Sequence, residues 1–98
     1  MKHPLMMAAL ASVIATAAHA GTIERACLTS DRSASRALCG CIQQVADQTL
    51  STGDQRMAAR FFKDPQKAQD IRQSDNRSHE VFWKRYKAFG AVAQDYCS

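Results

Sequence analysis

Hydrophobic and polar positions beyond residue 20 recur at helical rather than strand spacing. Between about Ala34 and Leu50, apolar side chains return every three or four positions, which predicts a helix with one buried side. No stretch alternates as a strand would, and residues that favour helices are abundant. The pattern predicts an all-α fold. In this helix, the expected buried stripe is Leu38, Ile42, Val45 and Thr49.

Capping residues divide the neighbouring segments into further helices. Thr22 is placed to cap a short first helix that ends near Thr29. The polar segment 51–54 ends the helix of residues 34–50 and supplies a cap for a third helix. The expected buried side of that third helix is Met57, Ala58, Phe61 and Phe62.

Two more helices are predicted toward the carboxyl end. Asp64-Pro65 is a typical helix start, so we expect a fourth helix to about Gln73. After the connector 74–78, a long last helix should end near Tyr96. We therefore predict a small bundle of about four to five helices. At about 100° per residue, one arc of the last helix should be buried: Phe82, Trp83, Tyr86, Phe89, Gly90, Ala93, Tyr96 and Cys97.

Residues 1–20 have the three parts of a secretory signal peptide. Lys2 and His3 give a positive start, an uncharged apolar run follows, and Ala18-His19-Ala20 offers small residues to a signal peptidase. The apolar run is about 14 residues long, whereas a membrane-spanning helix needs about 20. We expect cleavage after Ala20, a periplasmic or secreted product with no membrane span, and a single helical domain over residues 21–98.

Cleavage would leave 78 of the 98 residues, with 12 basic and 9 acidic side chains and a net charge of +3. This mild charge, together with export, disfavours nucleic acid as a partner. His79 would be the only remaining histidine, and no nucleophile, phosphate-binding or metal-binding motif is present. The sequence therefore predicts a protein that is not an enzyme and that has no metal or cofactor.

Four cysteines in an oxidising compartment predict disulfides, which small domains often need. Cys39 and Cys41 would point to nearly opposite sides of one helix, so each should reach a different partner. Position along the chain favours Cys27–Cys39 with Cys41–Cys97. The alternative is Cys27–Cys41 with Cys39–Cys97.

The Cys39-Gly40-Cys41 motif also permits a second hypothesis. A Cys-x-Cys pair can form an oxidising disulfide or bind a soft metal such as Cu(I). This would make the protein a thiol–disulfide redox or copper-handling protein. Structural disulfides are favoured, because no histidine is nearby and Cys27 and Cys97 give each sulfur a partner.

The run from Trp83 to Lys87 is the most distinctive chemical feature. It combines aromatic and basic side chains, which suits an acidic partner protein or an anionic surface of the cell envelope. Alternatively, its aromatic residues belong to the core and its lysines to a solvated face. A buried Arg85 with a carboxylate would be structural, whereas an exposed one would suit binding. The candidate binding residues are Trp83, Lys84, Arg85 and Lys87.

Several segments resemble a group of small exported proteins from alphaproteobacteria. They are Cys39-Gly-Cys-Ile-Gln-Gln-Val-Ala-Asp, Phe61-Phe-Lys-Asp-Pro, Arg72-Gln-Ser-Asp, Phe82-Trp-Lys-Arg-Tyr and the final Cys97. Some members carry the label "arginine transporter", so the resemblance implies at most an accessory binding role in arginine transport. Our leading interpretation is a structural or interaction protein of the cell envelope.

Overall fold

The computed structural model describes residues 21–31 and 34–98, and every regular element in these ranges is a helix. The all-α prediction is therefore confirmed. The signal peptide predicted for residues 1–20 lies outside the described residues. None of the helices in the described ranges is long and apolar enough to span a membrane. The helices are α1 Thr22–Leu28, α2 Arg36–Thr49, α3 Thr52–Lys63, α4 Gln66–Arg72 and α5 Arg77–Cys97.

Polar side chains determine where three of the helices begin. Ser35 caps α2, Ser51 caps α3 and Asn76 caps α5, each by accepting a hydrogen bond from a backbone N–H two or three residues later. A cap of this kind contributes about 1 kcal/mol. Because Ser35 occupies the cap position, α2 begins at Arg36 rather than at Ala34, where the pattern placed its start.

The start of α1 is held by a residue of α2. Thr22 is the first helical residue rather than the cap, so that prediction was wrong, and Gly21 makes no side-chain cap bond. Instead, Oε1 of Gln43 accepts a hydrogen bond from the backbone N–H of Glu24 at 2.9 Å. Gly21 lies so close to Gln43 that a Cβ atom there would overlap the Gln43 side chain. The contact between α1 and α2 thus replaces a local cap.

Gln43 also belongs to a buried amide network between α2 and α3. Its Nε2 donates to Oδ1 of Asp47 at 2.8 Å and to Oε1 of Gln55 at 2.9 Å. Gln55 in turn donates from Nε2 to Asp47 at 3.2 Å. Gln43 is 7% exposed and Gln55 9%. Among the described residues, no buried side-chain nitrogen or oxygen lacks a partner, so the network carries no desolvation penalty from an unmade bond.

The buried side of α2 differs from the stripe that its apolar residues predict. Of that stripe only Val45 is buried, and the other three members are half-buried. The prediction counted only apolar residues, whereas Gln43 is buried because all its bonds are satisfied inside the protein. The other buried positions of α2 are Cys39, Gln43 and Ala46, and Leu50, the residue that ends the helix, is buried as well.

An aromatic cluster joins α3 to α5 within the hydrophobic core. The ring centroid of Phe61 lies 5.0 Å from Tyr86 and 6.0 Å from Phe82, edge-on in both pairs. Tyr86 is also 6.0 Å from Phe89. Phe61, Phe82 and Phe89 are all buried. Each such pair adds about 0.5–1.5 kcal/mol beyond the burial of its area. The burial predicted for Phe82 and Phe89 on the last helix is confirmed.

The far end of α5 departs from the predicted arc. Tyr96 is 77% exposed, and Gly90 is exposed as well. The helix extends past the aromatic cluster, and in its last turn the side that faces α2 is the side of Cys97. Neighbouring helical residues lie about 100° apart, so Tyr96 is turned toward solvent.

We predict that replacing Gln43 by Met lowers the free energy of unfolding by about 1–3 kcal/mol. Methionine keeps the length of the side chain but leaves the Glu24 N–H and the Gln55 Oε1 atom without their partner. Urea unfolding followed by Trp83 fluorescence measures the change. The matched control is Gln44→Met at the exposed neighbouring position, for which we expect a change within about 0.5 kcal/mol. Equal effects of the two substitutions would contradict the role of the network.

Candidate functional site

Two disulfides leave α2 on different sides and tie it to both ends of the domain. Cys27 is bonded to Cys39 with a Cα–Cα distance of 5.6 Å, and Cys41 to Cys97 with one of 5.8 Å. The favoured pairing is confirmed. No cysteine is free in the described part of the chain, which includes all four.

The two bridges differ in their access to solvent. Cys27 and Cys39 are 2% and 0% exposed, because α1 and α2 close over their bond. Cys41 and Cys97 are half-buried between α2 and the last turn of α5. A reductant in solution can therefore approach the second bridge while the protein is folded, whereas the first bridge requires α1 to move.

Three of the four predicted binding residues lie on one side of α5. Trp83 is half-buried, with its ring 5.2 Å from Tyr86 and 6.4 Å from Phe61. Lys84 and Lys87 are exposed, and neither forms an ion pair with a described residue. At about 100° per residue, Lys87 follows Trp83 on the same side, and Lys84 lies at its edge. We call Trp83, Lys84 and Lys87 the basic face of α5.

Arg85 points away from this face and binds Asp54 at the start of α3. Its Nε donates to Oδ2 at 2.6 Å and its Nη2 to Oδ1 at 2.9 Å, a bidentate geometry. The Asp54 side chain is 12% exposed and that of Arg85 46%. One edge of the Arg85 guanidinium, formed by Nε and Nη2, is thus engaged with Asp54. The contribution of Arg85 to a binding patch stays a prediction. The pair joins α5 to α3.

The surroundings of Asp54 favour its charged form. The hydrogen bond from Arg85 is the largest cause of a lowered Asp54 pKa, followed by the opposing effect of burial and then by the charge of Arg85. Hydrogen bonds with Ser51, the cap of α3, lower the pKa further. Asp54 thus stabilises the first turn of α3 and holds α5 against it, and it does both as a carboxylate.

His79 has a structural position in the first turn of α5. Its Nδ1 lies 2.8 Å from Oγ of Ser74, across the connector that joins α4 to α5. In the described ranges, no group of three or more His, Cys, Asp or Glu side chains is arranged to hold a metal ion.

A second group of cations, which sequence reasoning missed, surrounds a cleft between α1 and α3. Arg25 lies in the last turn of α1, and Arg60 and Lys63 lie in the last turn of α3. All three line one open cleft of about 310 Å³. Since Arg25 and Arg60 are 35 positions apart in the sequence, no helical period reveals that they meet.

An open apolar groove lies between α2 and the second half of α5. Leu38 and Ile42, which the predicted stripe placed in the core, line it together with Gly90 and Ala93 of α5. The buried residues Cys39 and Gln43 each follow Leu38 and Ile42 by one position, so α2 is rotated relative to the prediction. This rotation leaves Leu38 and Ile42 half-buried. The Cys41–Cys97 bridge borders this groove.

No family model matches the chain, and no curated protein or solved structure matches it either. Its function is therefore inferred from the geometry of the described residues.

We predict that a mild phosphine reductant opens Cys41–Cys97 before Cys27–Cys39. The reason is the difference in exposure between the two bridges. Timed alkylation of the folded protein, followed by mass spectrometry, identifies which thiols are labelled first. Early labelling of Cys27 and Cys39, or equal rates for both pairs, would contradict the assignment.

We also predict that Arg85→Met destabilises the protein at neutral pH and that this loss shrinks in acid. Asp54 has a lowered pKa when folded, so its contribution is present above the pKa of the unfolded chain and disappears as the pH falls through the folded value. Urea unfolding of the variant and the wild type from pH 7 to pH 2 measures it. Lys87→Met is the control, for which we expect little change at any pH. A loss that is independent of pH would show that Arg85 acts only by packing.

Proposed function

We propose that the chain is exported and that residues 21–98 act as a non-enzymatic interaction protein of the cell envelope. Two disulfides in a domain of this size support the proposal, because such bonds persist in oxidising compartments. Export by the signal segment predicts a mature protein that begins at Gly21. The intact mass of the protein recovered from the periplasm or medium tests this part directly.

The basic face of α5 is the proposed contact for an acidic partner. The interaction role rests on one observation, the two exposed lysines beside Trp83 on this face. Two exposed lysines flank a tryptophan that is held in place by Phe61 and Tyr86, so the aromatic ring is already ordered before binding. Ordered aromatic side chains cost little entropy when a complex forms and are common at interface centres. Arg85 is left out of this contact, because it is engaged with Asp54.

The redox and copper-handling alternative receives less support from the cysteines. Cys39 and Cys41 belong to different bridges, and both bridges are closed, so neither thiolate is available to a metal or a substrate disulfide. A redox or copper-binding role would require at least one of the two disulfides to be reduced first.

The relation to the small exported alphaproteobacterial proteins, with the accessory role in arginine transport that it implies, stays a prediction. A free arginine would need an available carboxylate for its guanidinium group. Asp54 has the right geometry for this interaction, but Arg85 of the same chain occupies it.

We predict that Lys84→Glu/Lys87→Glu abolishes partner capture without unfolding the domain. Tagged protein carrying this double substitution, or none, is exported and cross-linked in the envelope, and the captured proteins are compared. The charge-matched control is Lys67→Glu/Arg72→Glu, at exposed positions of α4. Loss of a shared acidic partner in the first variant alone supports the basic face, whereas identical captured sets in all three proteins remove it.

A further inference from the structure

Gly90 lies inside α5, where a glycine destabilises a helix more than any residue except proline. The packing of the described chain gives no reason for it. Gly90 is exposed, and no atom beyond the adjoining turns of α5 lies within 4 Å of the position that a Cβ atom would take. Gly21, by contrast, leaves space that Gln43 fills, and Gly40 of α2 lies beside the Glu24 side chain. The open space at Gly90 is therefore available to a partner.

Gly90 forms part of one wall of the apolar groove, and Leu38 and Ile42 belong to the opposite wall. The groove has a volume of about 590 Å³, and no charged side chain lines it. Because Leu38 and Ile42 are half-buried, covering them would remove further apolar surface from water, which favours binding. Without a side chain at Gly90, the backbone of a partner can come close to α5.

The groove continues directly from the basic face of α5. At about 100° per residue, Trp83, Lys87, Gly90 and Gln94 lie within about 60° of one another, so they form one strip along the helix. Gln94 lines the groove beside Gly90. At about 1.5 Å per residue, the strip is about 16 Å long. The basic face and the groove are thus two halves of one surface.

The charge along this surface is positive at one end. Lys84 and Lys87 form no ion pair with a described residue, and the groove end is uncharged. The two carboxylates of α5 lie off the strip: Glu80 comes about one turn before Lys84, and Asp95 is turned about 100° from the neighbouring groove residue. A complementary partner therefore has carboxylates at one end and apolar side chains at the other.

We propose that the acidic partner binds this surface through an amphipathic helix of about three turns. Its carboxylates contact Lys84 and Lys87, and its apolar side lies in the groove against Leu38 and Ile42, next to Gly90. Positions that recur about once per turn along a straight groove between two helices suit a helix as occupant. This inference rests on the proposed function, because it names the segment that would bind the same face.

The substitution Gly90→Leu tests the groove without relying on a destabilised protein. Leucine favours a helix over glycine and has open space here, so we expect the melting temperature of the mature protein to rise by about 4–8 °C. The same leucine occupies the space that the partner needs. Capture of the acidic partner in the envelope should therefore fall by at least about tenfold.

Ala88→Leu is the matched control, because it places the same side chain at an exposed position about 160° around α5 from Gly90. It should leave capture unchanged. In a second measurement, a benzophenone side chain in place of Gln94 is activated by light in the exported protein. The peptide attached to it is identified by mass spectrometry. We expect apolar residues at helical spacing and acidic residues one to two turns away.

Loss of capture in Gly90→Leu but not in Ala88→Leu, together with such a peptide, supports the proposal. Undiminished capture by Gly90→Leu would overturn it, and so would a lowered melting temperature, which would show that the position is packed within the fold. A cross-linked peptide from this chain would mean that a second copy covers the groove, which also overturns it, as does the absence of any cross-linked peptide. The Lys84→Glu/Lys87→Glu variant decides the proposed function separately, so the two failures are distinguishable.

Discussion

The disulfide between Cys41 and Cys97 is the constraint on which the rest of the structure depends. It joins positions 56 apart in the sequence and fixes the last turn of α5 on α2. In the chain-entropy model, a loop of this length contributes about 4 kcal/mol, and the shorter Cys27–Cys39 loop about 3 kcal/mol. Domains of this size rarely have more than a few kcal/mol of net stability. The hydrophobic core and the two bridges are therefore both needed for a folded domain.

The Gln43 network and the Arg85–Asp54 pair determine how the helices joined by the two disulfides are positioned against one another. Gln43 sets the position of α1 by capping its first turn and by contacting Gly21. Arg85 sets the position of α5 against the start of α3. Both are polar contacts between helices, and both remove a side chain that could otherwise serve binding. The surfaces of the described residues that these contacts leave open include the basic face of α5, the cleft between α1 and α3, and the apolar groove beside α2.

The sequence was a good guide to the helices, because capping residues and connectors are local signals. It also predicted that Cys39 and Cys41 have different partners, because two cysteines two positions apart on a helix point to nearly opposite sides. Position along the chain then favoured the pairing that the structure has. It was wrong about the buried side of α2, since a polar residue can be buried when distant residues such as Gln55 and the Glu24 N–H satisfy it. No local pattern records such partners.

The candidate sites show the same contrast between local signals, which the sequence predicts, and contacts between distant residues, which it does not. The basic face of α5 lies within one helix and was visible as a run of residues, although the partner of Arg85 was not. The cations that line the cleft come from α1 and α3 and meet only through tertiary packing, so no local pattern predicts that they share one cleft. The exposure of Leu38 and Ile42 was not predicted for the same reason, because it depends on how α2 is rotated against the core.

The dependence of the fold on the Cys41–Cys97 bridge is tested by the stability of Cys41→Ser/Cys97→Ser, measured by urea unfolding under oxidising conditions. Cys27–Cys39 stays closed in this variant and acts as an internal reference. We expect a loss of about 4 kcal/mol in the free energy of unfolding, enough to leave the domain largely unfolded at moderate temperature. A loss below about 1 kcal/mol would show that the fold does not depend on this bridge, because the aromatic cluster and the Arg85–Asp54 pair would then hold α5 in place without it.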